Sequence, residues 1–343
     1  RYVLEKPVPE ASFATAVATR RKPDLVIGFA NAAFRAAAAK YAPTSEAAAR
    51  RTPSVLRNLV TVDGRRAALP LLVDHFELAT RVGTKGKGAS DGRLGWDAFL
   101  TLARDVADPD RPSLFVAGGD DGTLLLLVGA MVDALAGPGV LEELSGELAG
   151  GSTLPDILDR TIGDTRLRTV LDLLVALRRE GVLHPEWFRM RFSDVAAFMK
   201  ADRAPFVLMR LSEHRTVPLP IIRGYETGLS PVGRDAGRVL QAPVIVGAVP
   251  EGLNTRRKTA ALALLERLLS DPVQKRLGDA TGLAPASAAA EALDAQASDV
   301  RLWVAASGGA YPGLDRDAFE DKAAASAFAA ELRTYVEAEG AGY

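Results

Sequence analysis

The stretch from Thr259 to Ala288 is the most tightly punctuated part of the chain and constrains what the rest can become. Leu262, Leu265, Leu268 and Leu269 recur at helical spacing and mark one buried face. Pro272 halts that helix, a second short helix restarts on Val273, and Gly282 ends it. Near the other end, Lys22-Pro23-Asp24 breaks a helix predicted over Glu10 to Arg21, with Phe13 and Val17 turned inward. Leu25 to Phe29 is then a short continuous apolar run, the pattern of a strand buried on both faces. With a strand predicted over Tyr2 to Val8, the order strand, helix, strand implies a parallel pair and an α/β sheet. A chain of 343 residues, 48% apolar, exceeds the size at which a single core keeps growing, so two lobes are expected.

Composition removes several function classes. A formal charge of -1 gives no basic footprint for a phosphate backbone, which argues against nucleic acid as a partner. No apolar run reaches the roughly 18 residues that span a bilayer; Leu124 to Ala136 contains Asp133 and suits a buried helix. Without cysteine there is no disulfide framework, thiolate nucleophile or sulfur metal site. The chain opens without a Met, a basic segment or an apolar leader, as expected where a targeting segment has been removed. A lipoprotein's acylated cysteine would lie upstream of Arg1.

Between these ends the pattern alternates strands and helices. Leu59 to Pro70 reads as a hairpin about Asp63-Gly64, a pair suited to the positive φ of a tight turn, followed by a crossing strand over Leu71 to His75. Thr84 to Arg93 reads as a loop and Trp96 to Asp105 as a helix. Leu114 to Ala117 is a buried strand that ends at Gly118-Gly119-Asp120-Asp121-Gly122-Thr123 before a long apolar helix. Helices are predicted over Leu154 to Ile162, Leu167 to Glu180 and Asp194 to Ala201, and strands over Phe206 to Met209 and Val244 to Val249. Val217 to Ile222 reads as a return crossing, and the tail is helical with a break at Gly308 to Gly313.

Four of these segments carry a resemblance. Leu269-Ser270-Asp271-Pro272 with Gln274, followed by Thr281-Gly282 and Pro285-Ala286, is similar to a segment of bacterial extracellular solute-binding proteins. These are the receptors of ABC importers, in the family that includes maltose-binding protein. Pro23-Asp24-Leu25-Val26 resembles the family's second strand, the hairpin ending in Ala68-Leu69-Pro70 resembles the one before its first crossing, and Lys200 to Met209 resembles the segment entering a later strand. Family members usually open with a further strand and helix. The resemblance implies a two-lobed periplasmic-binding-protein-like α/β fold, each lobe a sheet flanked by helices. Lobe 1 would comprise residues 1–73 and 219–288 and lobe 2 residues 74–218 and 289–343, with crossings near 70–76, 217–223 and 286–292. It implies a monomeric, extracytoplasmic receptor without a cofactor or metal, possessing no enzymatic activity, that captures a sugar or small polar solute and delivers it to ABC permease transmembrane subunits. A receptor or adhesion protein that binds another macromolecule on the same scaffold stays open. So does a hydrolase or transferase, which rests only on the Gly-Asp-Asp-Gly turn.

Sugar recognition needs bidentate polar groups for hydroxyls and an aromatic face for C–H surfaces. By resemblance, Phe29 and Asn31 after the second strand, Asp74 and His75 in the crossing, and Asp120 and Asp121 at the rim of lobe 2 face the ligand. The alternative for Asp120 or Asp121 is a helix N-cap; a phosphate loop is disfavoured by the paired carboxylates and by the absence of a Lys-Ser/Thr pair. Where the family commonly has Gly-x-Trp, this chain has Met209-Arg210-Leu211-Ser212-Glu213, so Arg210 either binds ligand or pairs with Glu213. Tyr311, in the Gly-rich break, is the remaining aromatic candidate; Trp96 and Trp303 read as packing residues, and Trp187 as core or cleft. His184 and His214 read as structural, being far apart in predicted elements.

Overall fold

A computed structural model describes residues 13–18, 22–84, 95–108, 111–137, 139–163, 165–229, 239–319 and 322–340. Two four-stranded sheets each carry their own helices. In the first sheet the order is Val26–Phe29, Val244–Ala248, Leu69–Val73, Ala284–Pro285, every pair antiparallel. The order in the second is Tyr225–Leu229, Phe76–Arg81, Phe206–Arg210, Leu114–Val116, with the last pair parallel. Phe34, Leu56, Leu69, Val246 and Leu265 centre the first core; Phe99, Leu114, Leu125, Leu171 and Phe206 centre the second.

Strand periodicity explains why the second sheet is buried on both sides. Leu114, Val116, Phe206 and Leu208 point into the main core, while Phe115, Val207 and Met209 point into a smaller one with Val195 and Met199. The run Val26–Phe29 differs: among the described strands it ends the sheet order, and Ile27 is 55% exposed, so burial on both faces is not realised. Tyr2 to Val8 and residues 85–94 lie outside the described residues.

The turn and cap signals take their expected conformations. Asp63 and Gly64 have φ of +50° and +73° between Thr61–Val62 and Arg65–Arg66. Asn254 caps the helix Thr255–Leu268; the next helix, Asp271–Thr281, has Pro272 in its first turn and ends on Gly282 at φ +73°. Of the four leucines at helical spacing, Leu265 and Leu269 are fully buried, and Leu262 and Leu268 are partly buried against the same core.

Three connections join the lobes. The first is Asp74-His75, between Val73 in one sheet and Phe76 in the other. The other two carry a parallel pair, Val239–Gln241 with Gly309–Tyr311. Two expected crossings fall elsewhere. Leu219–Ile222 is helical, because Pro220 suits a first turn, and Tyr225–Leu229 then extends the second sheet before the chain returns. Residues 286–292 stay with the first lobe, where Ala286 N donates to Leu71 O and Ala288 N to Arg51 O. The helix Ala295–Ala306 follows, capped by Asp294, and places Ala297, Val300 and Val304 in the first core at helical spacing. The third crossing therefore comes after Val304.

Candidate functional site

A charged cluster forms where the lobes meet, and Glu213 is its hub. Strand Phe206–Arg210 ends as helix Leu211–His214 begins; Glu213 Oε2 accepts from Arg210 N at 2.8 Å, satisfying the backbone N–H at the start of that helix. Its Oε1 accepts from Arg210 Nη2 at 2.9 Å and from Thr123 Oγ1 at 2.8 Å. Arg210 is thus paired with Glu213, and burial, which would lower the guanidinium pKa, is outweighed by the carboxylates of Glu213, Asp74 and Asp315 together, which raise it. Beside it, Asp74 accepts from Ser212 N at 2.9 Å and Ser212 Oγ at 2.7 Å; burial pushes its carboxyl pKa up against those bonds.

Asp315-Arg316-Asp317, directly after the third crossing, completes the cluster. Gly122 leaves room for it: a Cβ there would lie 3.2 Å from Asp315 Oδ2 and 3.4 Å from Arg210 Nη1. The Asp315 side chain is 6% exposed, and burial raises its carboxyl to about 6 despite Arg316 and Arg210 nearby. Arg316 Nε lies 3.1 Å from Asp315 Oδ2, close enough for ionic attraction, but its N–H is not aimed along that line. Asp315 Oδ1, Arg210 Nε and Arg316 Nε are all buried and make no hydrogen bond among the described residues. Two contacts span the lobes here: the Arg316 guanidinium carbon sits 4.1 Å from the Phe29 ring centroid, and Arg35 is ion-paired with Asp317.

Phe29, Asp74 and Arg210 therefore converge through Asp315 and Arg316. Asn31 stays beside Phe29 but caps the helix Ala32–Ala37, its Oδ1 accepting from Phe34 N at 2.8 Å. Asp120 occupies the N-cap position of Asp121–Ala136, yet its Oδ2 accepts from Phe192 N at 2.9 Å.

Three other candidates are engaged by partners within the chain or packed in the core. Asp121 is bonded by Ser326 Oγ at 2.6 Å and Arg333 Nη2 at 2.7 Å; burial pushes its pKa up, and these partners bring it below the usual value. Tyr311 is a core residue, 3% exposed, with its hydroxyl bonded to Ser145 and its pKa raised by burial. His75 is fully buried against Trp303, with ring centroids 5.2 Å apart, and burial lowers its pKa to about 3. The ring of Trp187 is also core; a Cβ on Gly118 would lie 2.6 Å from it.

Sequence reasoning missed Asp315, Arg316 and Arg35. The available signal was the charged triplet immediately after the Gly308–Gly313 break. A separate cavity of about 170 Å³ lies in the first lobe, between Leu56, Val73, Pro285 and Leu302. Its apolar lining does not suit a hydroxylated ligand, so the charged cluster is the better candidate. Among the described residues no cluster of three or more His, Asp or Glu side chains fits a metal ion, and no helix is long and apolar enough to cross a membrane.

This fold, with its polar cluster at the lobe junction, defines a class: the two-lobed periplasmic-binding-protein fold. Solved structures of this class superpose on nearly the whole chain. The bacterial solute receptor AcbH, described as having an exclusive preference for β-D-galactopyranose, matches with a TM-score of 0.78 at 13% identity, over 93% of this chain and 81% of that one. A chitin oligosaccharide binding protein matches at 0.64 and 15% identity, over 97% and 87%. Maltose-bound MalE3 of T. maritima matches at 0.56 and 18% identity, over 91% and 84%. These likenesses establish the fold. No family model matches the chain, and no curated protein matches its sequence.

Proposed function

We propose that the chain is the solute receptor of an ABC importer, working outside the cytoplasm, that captures a neutral sugar or small polyol between its lobes and delivers it to membrane permease subunits. The observation that carries this reading is a set of buried groups at the lobe junction that make no hydrogen bond among the described residues, including the acceptor Asp315 Oδ1 and the donors Arg210 Nε and Arg316 Nε. A hydroxyl group both donates and accepts, so adjacent hydroxyls of one ligand satisfy all three. Among the described residues of the cluster each arginine already has a carboxylate: Arg210 with Glu213, Arg316 with Asp315, Arg35 with Asp317. That balance favours a neutral ligand over an anionic one. The sugars named for the structural neighbours support the same class.

Binding makes and breaks no bond. Ligand contacts with both lobes favour the closed arrangement, in which Phe29 meets Arg316 and Arg35 meets Asp317. A lipid anchor upstream of Arg1 and a monomeric state belong to the same proposal. The test is a thermal-shift screen of refolded protein against sugars, polyols, sugar phosphates, amino acids and nucleotides. A ligand at about 1,000 times its Kd stabilises the native state by about 4 kcal/mol, an easily read shift. A shift confined to neutral sugars or polyols is expected; no shift with any of them, or shifts with anionic compounds only, refutes the proposal.

A further inference from the structure

We infer that Arg316 sets the size of the ligand by occupying the aromatic face that Phe29 would otherwise offer. The inference rests on the sugar-binding reading above. Phe29 lies at the end of the strand Val26–Phe29, half-buried, and the face it turns toward the second lobe is covered by the Arg316 guanidinium at 4.1 Å. That is the separation at which a pyranose ring packs its C–H surface on an arene, so guanidinium and sugar exclude one another. The cap is held from behind. Arg316 Nε is 3.1 Å from Asp315 Oδ2, and Asp315 itself is packed beside Gly122, with its side chain 6% exposed.

A ligand that gains affinity by stacking, as an oligosaccharide does across successive rings, finds this platform taken. One that binds through hydroxyls alone has no need of that face and pairs instead with the unbonded groups of Asp315, Arg210 and Arg316. The site is thereby restricted to a single sugar ring or an acyclic polyol. Arg316 acts as a specificity residue: its planar group and its charge both matter, the first to cover the ring and the second to stay beside Asp315.

The test has two arms. Without ligand, Phe29→Trp supplies a fluorophore at the capped position; its emission should shift on adding Arg316→Ala, and an unchanged spectrum means that no cap exists. With ligand, calorimetric titration compares monosaccharides with maltose, maltotriose and chitobiose on the wild type, Arg316→Ala, Arg316→Lys and Phe29→Ala/Arg316→Ala. The wild type should bind a monosaccharide and discriminate against the longer sugars. Uncovering the ring should improve binding of at least one disaccharide by about tenfold, a gain the double variant loses. Arg316→Lys, which keeps the cation without the planar fork, should fall between and serves if the alanine variant unfolds. Oligosaccharide binding by the wild type that equals or exceeds monosaccharide binding, or no gain on uncovering, overturns this inference alone. Binding of no sugar by any of the proteins overturns the sugar reading and this inference with it.

Discussion

Replacing His75 by leucine should remove a defined part of the protein's sensitivity to acid. The imidazole is wholly buried at the first crossing, and neither ring nitrogen makes a hydrogen bond among the described residues. Burial holds its pKa at about 3 in the folded chain, against roughly 6.5 when unfolded. Between those values the unfolded state binds a proton that the native state refuses, so stability from this site is complete above pH 6.5 and falls as the pH drops toward 3. Each pH unit in that window is worth up to about 1.4 kcal/mol. Going from pH 8 to pH 5 crosses about 1.5 units of it, a loss of about 2 kcal/mol. Leucine has similar bulk and no proton to bind. At pH 8 the variant should lie within about 1 kcal/mol of wild type, since the relief of two unbonded nitrogens offsets the lost contact with Trp303. Urea unfolding at pH 8 and pH 5, followed by far-UV circular dichroism, gives the two differences. The variant should gain about 2 kcal/mol on the wild type at the lower pH. Parallel losses in both proteins would show that His75 is not buried and neutral as argued.

Other expectations come from single contacts. Gly119→Ala places a Cβ 2.4 Å from the backbone oxygen of Arg189 and should destabilise by about 2 kcal/mol or more, whereas Gly146→Ala, with nothing within 4 Å on a helix, should stabilise by about 0.5–1 kcal/mol; thermal melts that rank them otherwise contradict the packing. The raised pKa of Asp315 means that keeping it ionised costs stability as the pH rises from 3.8 to about 6, on the order of 3 kcal/mol. Asp315→Asn should therefore melt higher than wild type at pH 8, not at pH 4, while binding sugar more weakly; unchanged affinity would remove Asp315 from the site. Arg215 reaches from the helix after the second sheet to Gly282 O at 2.7 Å and Asp294 Oδ1 at 3.0 Å in the first lobe. Arg215→Ala should cost on the order of 1 kcal/mol and enlarge the radius of gyration measured by small-angle scattering, and an unchanged radius would mean that this tie does not restrain the lobes.

Features settled within a few residues were legible before folding was considered. Asp63-Gly64 specified a turn because both central positions need positive φ; Pro272 and Gly282 bounded a helix because one lacks an N–H and the other tolerates the left-handed region. Those signals, with apolar runs such as Leu114–Val116, were enough for an α/β chain of two cores and for the resemblance that nominated Phe29, Asp74 and Arg210 as ligand-facing. Where chain segments cross was less legible: Val217 to Ile222 looks extended by composition, yet its prolines fit the start of a helix, and only pairing with Phe76–Arg81 put Tyr225–Leu229 in the second sheet. Side-chain destinations were decided by tertiary structure alone. Asp121 is claimed by Arg333, Tyr311 by Ser145, and the face of Phe29 by Arg316, each from a distant part of the chain. Local sequence fixes backbone torsions and caps, but an ion pair or a covered ring depends on which distant surfaces meet when the two cores close, and no spacing rule encodes that.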